Sequence, residues 1–199
     1  MKKWLLIFLI PLSLTIIVFR RFFFEGFLPI PLDILVGAYY PWFDYNFGYP
    51  NHVPVKNSLP SDVFSLLYPW RVMGMSMLKE GYLPLWDQTI LLGTPLFANF
   101  QAALANPINL LFFILPEKIA WSIQVTLQPL LIFITTSLFL KQLKLSTFAT
   151  IFGSLLFAFS GFTIVWLEYN SIVYTLVYLP LIFLLVRKII LEPKVVHTV

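Results

Sequence analysis

Two aspartates, Asp33 and Asp62, are the side chains of this sequence best placed for chemistry. Each precedes a Tyr-Pro-Trp triplet at a similar distance, and the triplets begin at Tyr40 and Tyr68. A carboxylate near a membrane surface can accept the proton of a hydroxyl group, or hold a divalent cation against a phosphate. Aspartate is also a common helix or turn cap, and Tyr and Trp commonly anchor a protein at the headgroup level. Capping is the commoner use for either aspartate taken alone, so the pattern indicates two candidate general bases and does not choose between them.

Other polar side chains near the aspartates suit a phosphate or a sugar. Arg71 and Lys79 follow the second triplet, and arginine binds phosphate through a bidentate fork. The alternative is that both lie on the solvated face of an interfacial helix. Residues 81–101 show no regular period, and in an apolar frame they hold Trp86, Asp87, Gln88, Asn99 and Gln101. Amides and a carboxylate suit sugar hydroxyls and an aromatic face suits a sugar ring, but the same composition suits a packed loop.

Glu168 is a further outward carboxylate, at the tip of a predicted turn between the last two apolar runs. Its alternative role is that of a polar turn residue. His52 has no second partner spaced for metal binding, which argues against a zinc site. The chain contains no cysteine, which excludes a disulfide framework and a thiolate metal site.

The composition indicates a membrane protein. The chain is 59% hydrophobic and 11% charged, whereas a soluble domain averages about 45–50% apolar and about 25% charged residues. The net charge of +4 does not indicate nucleic-acid binding. The Lys and Arg residues lie in pairs beside apolar runs, and no basic stripe accompanies them.

Four apolar runs predict membrane-crossing helices. The first is flanked by basic pairs and lacks a small-residue cleavage site, so we expect an uncleaved span rather than a signal peptide. The predicted spans are residues 4–19, 119–140, 147–167 and 172–186. Small residues within the third predict close helix packing, and they are Gly153, Ser154, Ala158, Ser160 and Gly161. The predicted fold class is therefore all-α integral membrane, with about four transmembrane helices.

A large polar loop separates the first span from the second. Residues 62–80 within it are predicted to form a helix lying in the interface, with Ser61 or Asp62 as its cap and a kink at Pro69. Residues 107–115 are too short to span and are predicted to be re-entrant or surface-lying. The predicted segments are 1–24, the first transmembrane helix; 25–118, an outer loop with interfacial or re-entrant helices; and 119–199, three transmembrane helices and a short cytoplasmic tail.

Basic residues in the short connections predict the orientation of the chain, because such residues are enriched on the cytoplasmic side. The pairs Lys141/Lys144, Arg187/Lys188 and Lys2/Lys3 are therefore expected in the cytoplasm, and Arg20/Arg21 is the dissenting pair. The prediction is a multi-pass protein of the cell membrane with a cytoplasmic N-terminus. The large loop and the turn at Glu168 are both predicted to lie outside.

Short motifs follow one another in a fixed order through most of the chain. They are Asp33-x-x-x-Gly37 with Tyr40-Pro-Trp, Val55-Lys-Asn, Ser61-Asp62, Tyr68-Pro-Trp-Arg71, Leu83-Pro-Leu-Trp86, Gly93-Thr-Pro95, Ala98-Asn99, Asn106-Pro107, Asn109-Leu-Leu, Phe159-Ser-Gly-Phe162 and Leu179-Pro-Leu. This order resembles the YfhO-type family of bacterial membrane proteins, which is similar to the GT-C glycosyltransferases. Family members are longer, so the resemblance implies that this chain corresponds to their N-terminal portion, with further helices beyond it.

The resemblance implies a membrane glycosyltransferase that uses a polyprenyl-phosphate-linked sugar and carries its catalytic aspartate in the first outer loop. Asp33 matches that place best, and Asp62 is close behind. The hypothesis makes either aspartate the general base and a candidate ligand of Mg²⁺ or Mn²⁺. The expected substrate-binding residues are Arg71, Lys79, Trp86, Asn99, Gln101 and Glu168. The expected partners are membrane lipid and a lipid-linked sugar, without nucleic acid.

Two other functions remain open from the sequence. The chain can be a non-catalytic membrane protein, such as a flippase component or an envelope-assembly partner, which would tolerate loss of either aspartate. A transporter is the weakest alternative, because the spans from residue 119 onward carry no buried charge before Glu168, and ion-coupled transport usually needs ionisable groups at membrane depth.

Overall fold

The protein is mostly helical. The structure is a computed structural model that describes residues 2–90 and 92–191, with side chains described from Phe8 onward. The described helices, in chain order, are α1 (Lys2–Val18), α2 (Arg20–Glu25), α3 (Leu32–Ala38), α4 (Tyr68–Lys79), α5 (Leu111–Ile114), α6 (Glu117–Gln142), α7 (Thr147–Ala158), α8 (Gly161–Trp166) and α9 (Ile172–Leu191). The chain divides into two compact units, residues 28–124 and residues 1–27 with 125–199.

Short irregular elements connect the helices. A π-helical turn, Val63–Leu67, leads directly into α4, and 3₁₀ turns occupy Trp42–Asp44, Phe100–Ala102, Pro107–Leu110 and Leu167–Tyr169. Two strands of two residues, β1 (Trp86–Asp87) and β2 (Thr94–Pro95), pair antiparallel with Asp87 opposite Thr94. Apart from the turn Leu167–Tyr169, these elements lie in the unit of residues 28–124, together with α3 to α5 and the first two turns of α6.

Among the described residues, three helical segments are long and apolar enough to cross a membrane, namely α6, the run Thr147–Tyr169 and α9. They coincide with the apolar runs predicted at residues 119–140, 147–167 and 172–186, so helices at these places are confirmed. The middle segment is interrupted after Ala158, where the side chain of Ser160 caps the new helix α8 by accepting a hydrogen bond from the Thr163 amide. Within α1, the part with described side chains, Phe8–Val18, is a shorter apolar helix, and a fourth span stays a prediction.

Helix α7 exposes large apolar side chains and buries small or polar ones. On α7, Thr150, Ser154 and Ala158 repeat every fourth residue and are buried, while Phe152 is 53% exposed. The hydroxyl oxygens of Ser137 on α6 and Ser154 lie 2.9 Å apart. A Cβ built on Gly153 would lie 3.0 Å from the Leu140 side chain. The predicted small-residue packing is therefore confirmed for α7, whereas Gly161 has open space around its Cα.

The helix predicted at residues 62–80 is confirmed as a helical stretch, since residues 61–79 are helical without a break. Pro69 lies in the first turn of α4, directly after the π-helical turn Val63–Leu67. Such a π-helical turn occurs as a single-turn bulge inside an otherwise α-helical stretch. Among the described residues Asp62 makes no side-chain capping bond, so the predicted cap at that position is wrong. Helix α4 buries Arg71, Gly74 and Met75 in its own unit.

Candidate functional site

The predicted site residues are divided between the two units. The unit of residues 28–124 contains all of them except Glu168, which belongs to the other unit. Glu168 is half-buried in the 3₁₀ turn Leu167–Tyr169, before Asn170 in a left-handed conformation with φ of 54°. The carbonyl of Leu167 accepts a hydrogen bond of 2.9 Å from the buried Gln128 amide. Glu168 therefore lies on a turn whose backbone is held from within the same unit.

Asp33 is a positioned carboxylate. It lies half-buried in the first turn of α3, where a negative charge interacts favourably with the helix dipole. Its Oδ2 accepts a hydrogen bond of 3.0 Å from the backbone amide of Lys56. One turn further along the same face, a Cβ on Gly37 would lie 2.5 Å from the Val53 carbonyl oxygen. The glycine therefore permits the close approach of α3 to residues 53–56 that brings Asp33 to the Lys56 amide.

Asp62 is exposed and precedes the π-helical turn. The ring of Tyr39, just after α3, meets the ring of Phe64 edge-on at 5.5 Å. This contact joins the end of the helix that carries Asp33 to the turn that follows Asp62. Within the described residues, no group of three or more His, Asp or Glu side chains is arranged to hold a metal ion.

Arg71 lies at the centre of a buried polar network that links three segments of its unit. The side chain is 0% exposed. Its Nε donates to the carbonyl of Ala102 at 3.0 Å, and its Nη1 donates to Oε1 of Gln124 at 3.2 Å. The guanidinium also lies over the Trp121 ring, 5.1 Å from its centroid, a cation–π geometry. Burying an arginine is costly unless its donors are bonded, so these contacts account for its place in the core.

Gln124 and Asn109 extend the network. Nε2 of Gln124 donates to the carbonyl of Ile108 and to Oδ1 of Asn109, both at 3.1 Å. Nδ2 of Asn109 donates to the carbonyls of Ala103 and Leu104 at 2.7 and 3.1 Å. The network therefore ties α4, the turn at residues 102–104 and the 3₁₀ turn before α5 to the second turn of α6.

The two predicted phosphate ligands have different environments. Lys79, at the end of α4, is exposed, whereas Arg71 is enclosed by the network. Tyr68 lies at the start of the same helix, with its ring edge-on to Trp121 at 5.3 Å. Burial, and to a smaller degree the negative charge of Glu117, raise the pKa of the Tyr68 phenol above 10.0. Of the two cations, Lys79 has the solvent access that an incoming phosphate needs.

Trp86 and Asp87 form β1, and they lie on opposite sides of it. Trp86 is 47% exposed, whereas Asp87 is 0% exposed. Gly93 lies against the indole of Trp86, and its φ of 99° is a left-handed conformation that favours glycine. Any side chain at position 93 would collide with the indole. The hairpin therefore presents one face of Trp86 to the surroundings.

Asp87 is the carboxylate among the polar groups predicted to suit sugar hydroxyls in residues 81–101, and the structure buries it. Its Oδ1 accepts hydrogen bonds from the Thr89 amide and the Thr89 hydroxyl, at 2.7 and 2.6 Å. Its Oδ2 is buried and has no hydrogen-bond partner among the described residues. A carboxylate oxygen in that condition is uncommon, because buried polar atoms are normally bonded. Side chains alternate between the two sides of a strand, but a strand of two residues is too short for the sequence to predict the burial of Asp87.

Asn99 and Gln101 lie near the network, with different exposure. Oδ1 of Asn99 accepts a hydrogen bond of 3.0 Å from the Gln101 amide and so caps the 3₁₀ turn. The Gln101 side chain is exposed, and Asn99 is half-buried. The next residue, Ala102, supplies the carbonyl that binds Arg71. Asn99 thus has a local structural role, and Gln101 is available to a ligand.

Comparison with known proteins leaves this site to be interpreted from its own geometry. No protein-family model, no curated protein and no solved structure matches the chain.

Proposed function

We propose that this chain takes part in sugar transfer at the outer face of a membrane, from a polyprenyl-phosphate-linked donor to a cell-envelope acceptor. The observation that carries the proposal is the geometry of Asp33. One carboxylate oxygen is held by the Lys56 amide, and the side chain is only half-buried. A general base must be fixed in direction and yet reachable by the hydroxyl from which it takes a proton. The order of motifs that resembles the YfhO-type family adds support.

Asp33 is assigned as the base in preference to Asp62. Asp62 is exposed and, among the described residues, makes no capping bond that would fix its direction. In the proposed reaction, Asp33 takes the proton of the acceptor hydroxyl while that oxygen bonds to the anomeric carbon. The bond from the sugar to the donor phosphate breaks, and the polyprenyl phosphate leaves. The reaction inverts the anomeric centre, and no step depends on a metal ion.

Lys79 is assigned to the donor phosphate because it is the exposed cation of α4. An ammonium group binds phosphate as a point charge and stabilises the charge that develops on the leaving group. Arg71 is assigned a supporting role, since its guanidinium is used within the buried network. Trp86 and Gln101 are exposed and suit the ring and hydroxyls of a sugar. Glu168 keeps only its predicted role as a substrate contact.

The second candidate is a non-catalytic membrane protein, such as a flippase component or an envelope-assembly partner. The observation that favours it is the internal use of Arg71 and Asn99, which leaves fewer polar groups for a substrate than the sequence indicates. This candidate predicts that replacing either aspartate by an uncharged residue leaves the function of the protein unchanged.

Asp33→Asn is the decisive variant, because an asparagine oxygen can still accept the Lys56 amide while the basic carboxylate is lost. We expect transfer from a labelled polyprenyl-phosphate sugar, in membranes containing the full chain, to fall by about 10²–10⁴-fold. Asp62→Asn is the matched control and should retain transfer. Equal activity in the wild type and both variants, or no transfer by the wild type with any donor tested, would favour the non-catalytic candidate.

The predicted orientation is tested separately. The chain has no cysteine, so single cysteines at Lys144 and Asn57 can be labelled in intact cells with a membrane-impermeant maleimide. We expect labelling at position 57 in intact cells and at position 144 only after permeabilisation. The reverse pattern would place the large loop in the cytoplasm, where a lipid-linked donor of the outer face is not accessible.

A further inference from the structure

The segment from Pro107 to Ile114 has an apolar face that is not covered by its own unit. It consists of a 3₁₀ turn, Pro107–Leu110, followed directly by α5. One side is buried through Asn109 and Phe112, which are 3% and 0% exposed. The other side exposes Leu110, Phe113 and Ile114 at 65%, 49% and 78%. These three residues, spaced as neighbours on a helix surface, are the apolar face of this segment.

The stretch around this face carries no charge. No Asp, Glu, Lys or Arg occurs from residue 88 to residue 116, although about a quarter of the residues in a soluble domain are charged. Leu92 and Phe100, in the same stretch, are 101% and 96% exposed. A surface of this composition is poorly suited to water.

The hydrogen bonds between the segment and α6 determine how deep the segment lies in the membrane. Helix α6 has 26 residues and ends beside Lys141. An acyl core of about 30 Å takes about 20 helical residues, so counting back from Lys141 puts the opposite acyl boundary near Trp121. Gln124, about one turn further along the helix, bonds both the Ile108 carbonyl and Oδ1 of Asn109. The segment is therefore held at the level of the boundary between headgroups and acyl chains.

We propose that the apolar face of Leu110, Phe113 and Ile114 binds the lipid bilayer itself, lying in the interfacial layer beside the start of α6. The segment is too short to cross, and only two residues separate it from a helix that is long enough to do so. An amphipathic helix in this position inserts its apolar side about 5–10 Å into the boundary layer. The hydrogen bonds from Gln124 to Ile108 and Asn109 fix the segment to α6. This lipid contact is independent of whether the chain transfers sugars.

Spin labels at single cysteines test the proposal, since the chain has no native cysteine. The full chain is reconstituted in phosphatidylcholine vesicles, with a label at Leu110, Phe113 or Ile114 in turn. Collisions with oxygen, which concentrates among acyl chains, are compared with collisions with a water-soluble nickel chelate. Asn57, exposed in the polar loop, is the aqueous control, and Ile182, 53% exposed on α9, is the deep control.

We expect the oxygen-to-nickel collision ratio at all three positions to lie between those of the two controls, at a depth of about 5–10 Å. A ratio equal to that at Asn57 would overturn the proposal. Protection from both oxygen and nickel would also overturn it, because protein would then cover the face. Broadening from nearby labels would identify that protein as a second copy of this chain.

A measurement on the unsubstituted chain guards against misfolded variants. A phospholipid with a photoreactive diazirine near the glycerol backbone is mixed into the vesicles, and the modified peptides are mapped by mass spectrometry. Modification within residues 107–114 supports the proposal. Modification of the spanning helices without any in residues 107–114 contradicts it.

Discussion

Replacing Gln124 by leucine tests whether the buried network holds its unit together. The substitution keeps nearly the same volume, so its cost comes from lost hydrogen bonds rather than from a cavity. Gln124 accepts from Arg71 and donates to Ile108 and Asn109. The Ile108 carbonyl keeps a second bond, from the Leu111 amide. The change therefore leaves the Nη1 donor of Arg71 and Oδ1 of Asn109 without these partners.

The magnitude follows from those two groups. Leaving one buried polar group unsatisfied costs about 1–3 kcal/mol, with charged groups at the upper end. The sum is about 2–6 kcal/mol, and we expect Gln124→Leu to lower the free energy of unfolding by about 4 kcal/mol. The double variant Arg71→Met/Gln124→Leu removes donor and acceptor together. Its loss of unfolding free energy should be smaller than the sum of the losses in the two single variants. The difference, about 1–3 kcal/mol, is the coupling energy between Arg71 and Gln124.

Unfolding by sodium dodecyl sulfate in mixed micelles measures these free energies. Tryptophan fluorescence includes Trp121, which lies against the Arg71 guanidinium, and circular dichroism follows the helices as an independent probe. The matched control is Gln88→Leu, the same change at an exposed glutamine, where we expect a change within about 0.5 kcal/mol. If Gln124→Leu costs no more than this control, the network does not stabilise the unit. If the change in unfolding free energy of the double variant equals the sum of the two single changes, Arg71 and Gln124 do not interact as the structure places them.

Three further predictions concern other contacts. Gly37→Ala should lower the free energy of unfolding by about 1–3 kcal/mol, because the alanine Cβ would lie 2.5 Å from the Val53 carbonyl oxygen. An unchanged unfolding midpoint would refute that close approach. Ser154→Ala should cost about 0.6–1.7 kcal/mol by leaving the Ser137 hydroxyl without its partner at 2.9 Å, and combining it with the alanine change at Ser137 should add little. Burial raises the pKa of Tyr68, so the unfolded chain loses that proton first and stability falls as pH rises from about 10. Tyr68→Phe should flatten this fall in unfolding titrations at alkaline pH, and an identical pH profile would contradict it.

The sequence was sufficient to predict the helices long enough to cross a membrane. Hydrophobicity over about 20 residues is a local property, and α6, the run Thr147–Tyr169 and α9 occur where the apolar runs predict them. The small residues of α7 were predictable for the same reason, since their spacing places them on one helix face. The helix at residues 62–80 was also predictable, but its cap was not, because Asp62 is a good cap by type and yet makes no capping bond there.

Only the tertiary structure decided which polar residues remain accessible. Arg71 and Lys79 are cations on one helix, and nothing local distinguishes them, yet the first is buried and the second exposed. Asp87 is buried beside the exposed Trp86 for the same kind of reason. Burial depends on segments distant in the chain. Ala102 and Gln124 bond Arg71 directly, and Asn109 bonds Gln124 in turn, at sequence separations that no short window contains. Residue type thus supplies the chemistry that is available, and long-range packing determines which of these groups a ligand can reach.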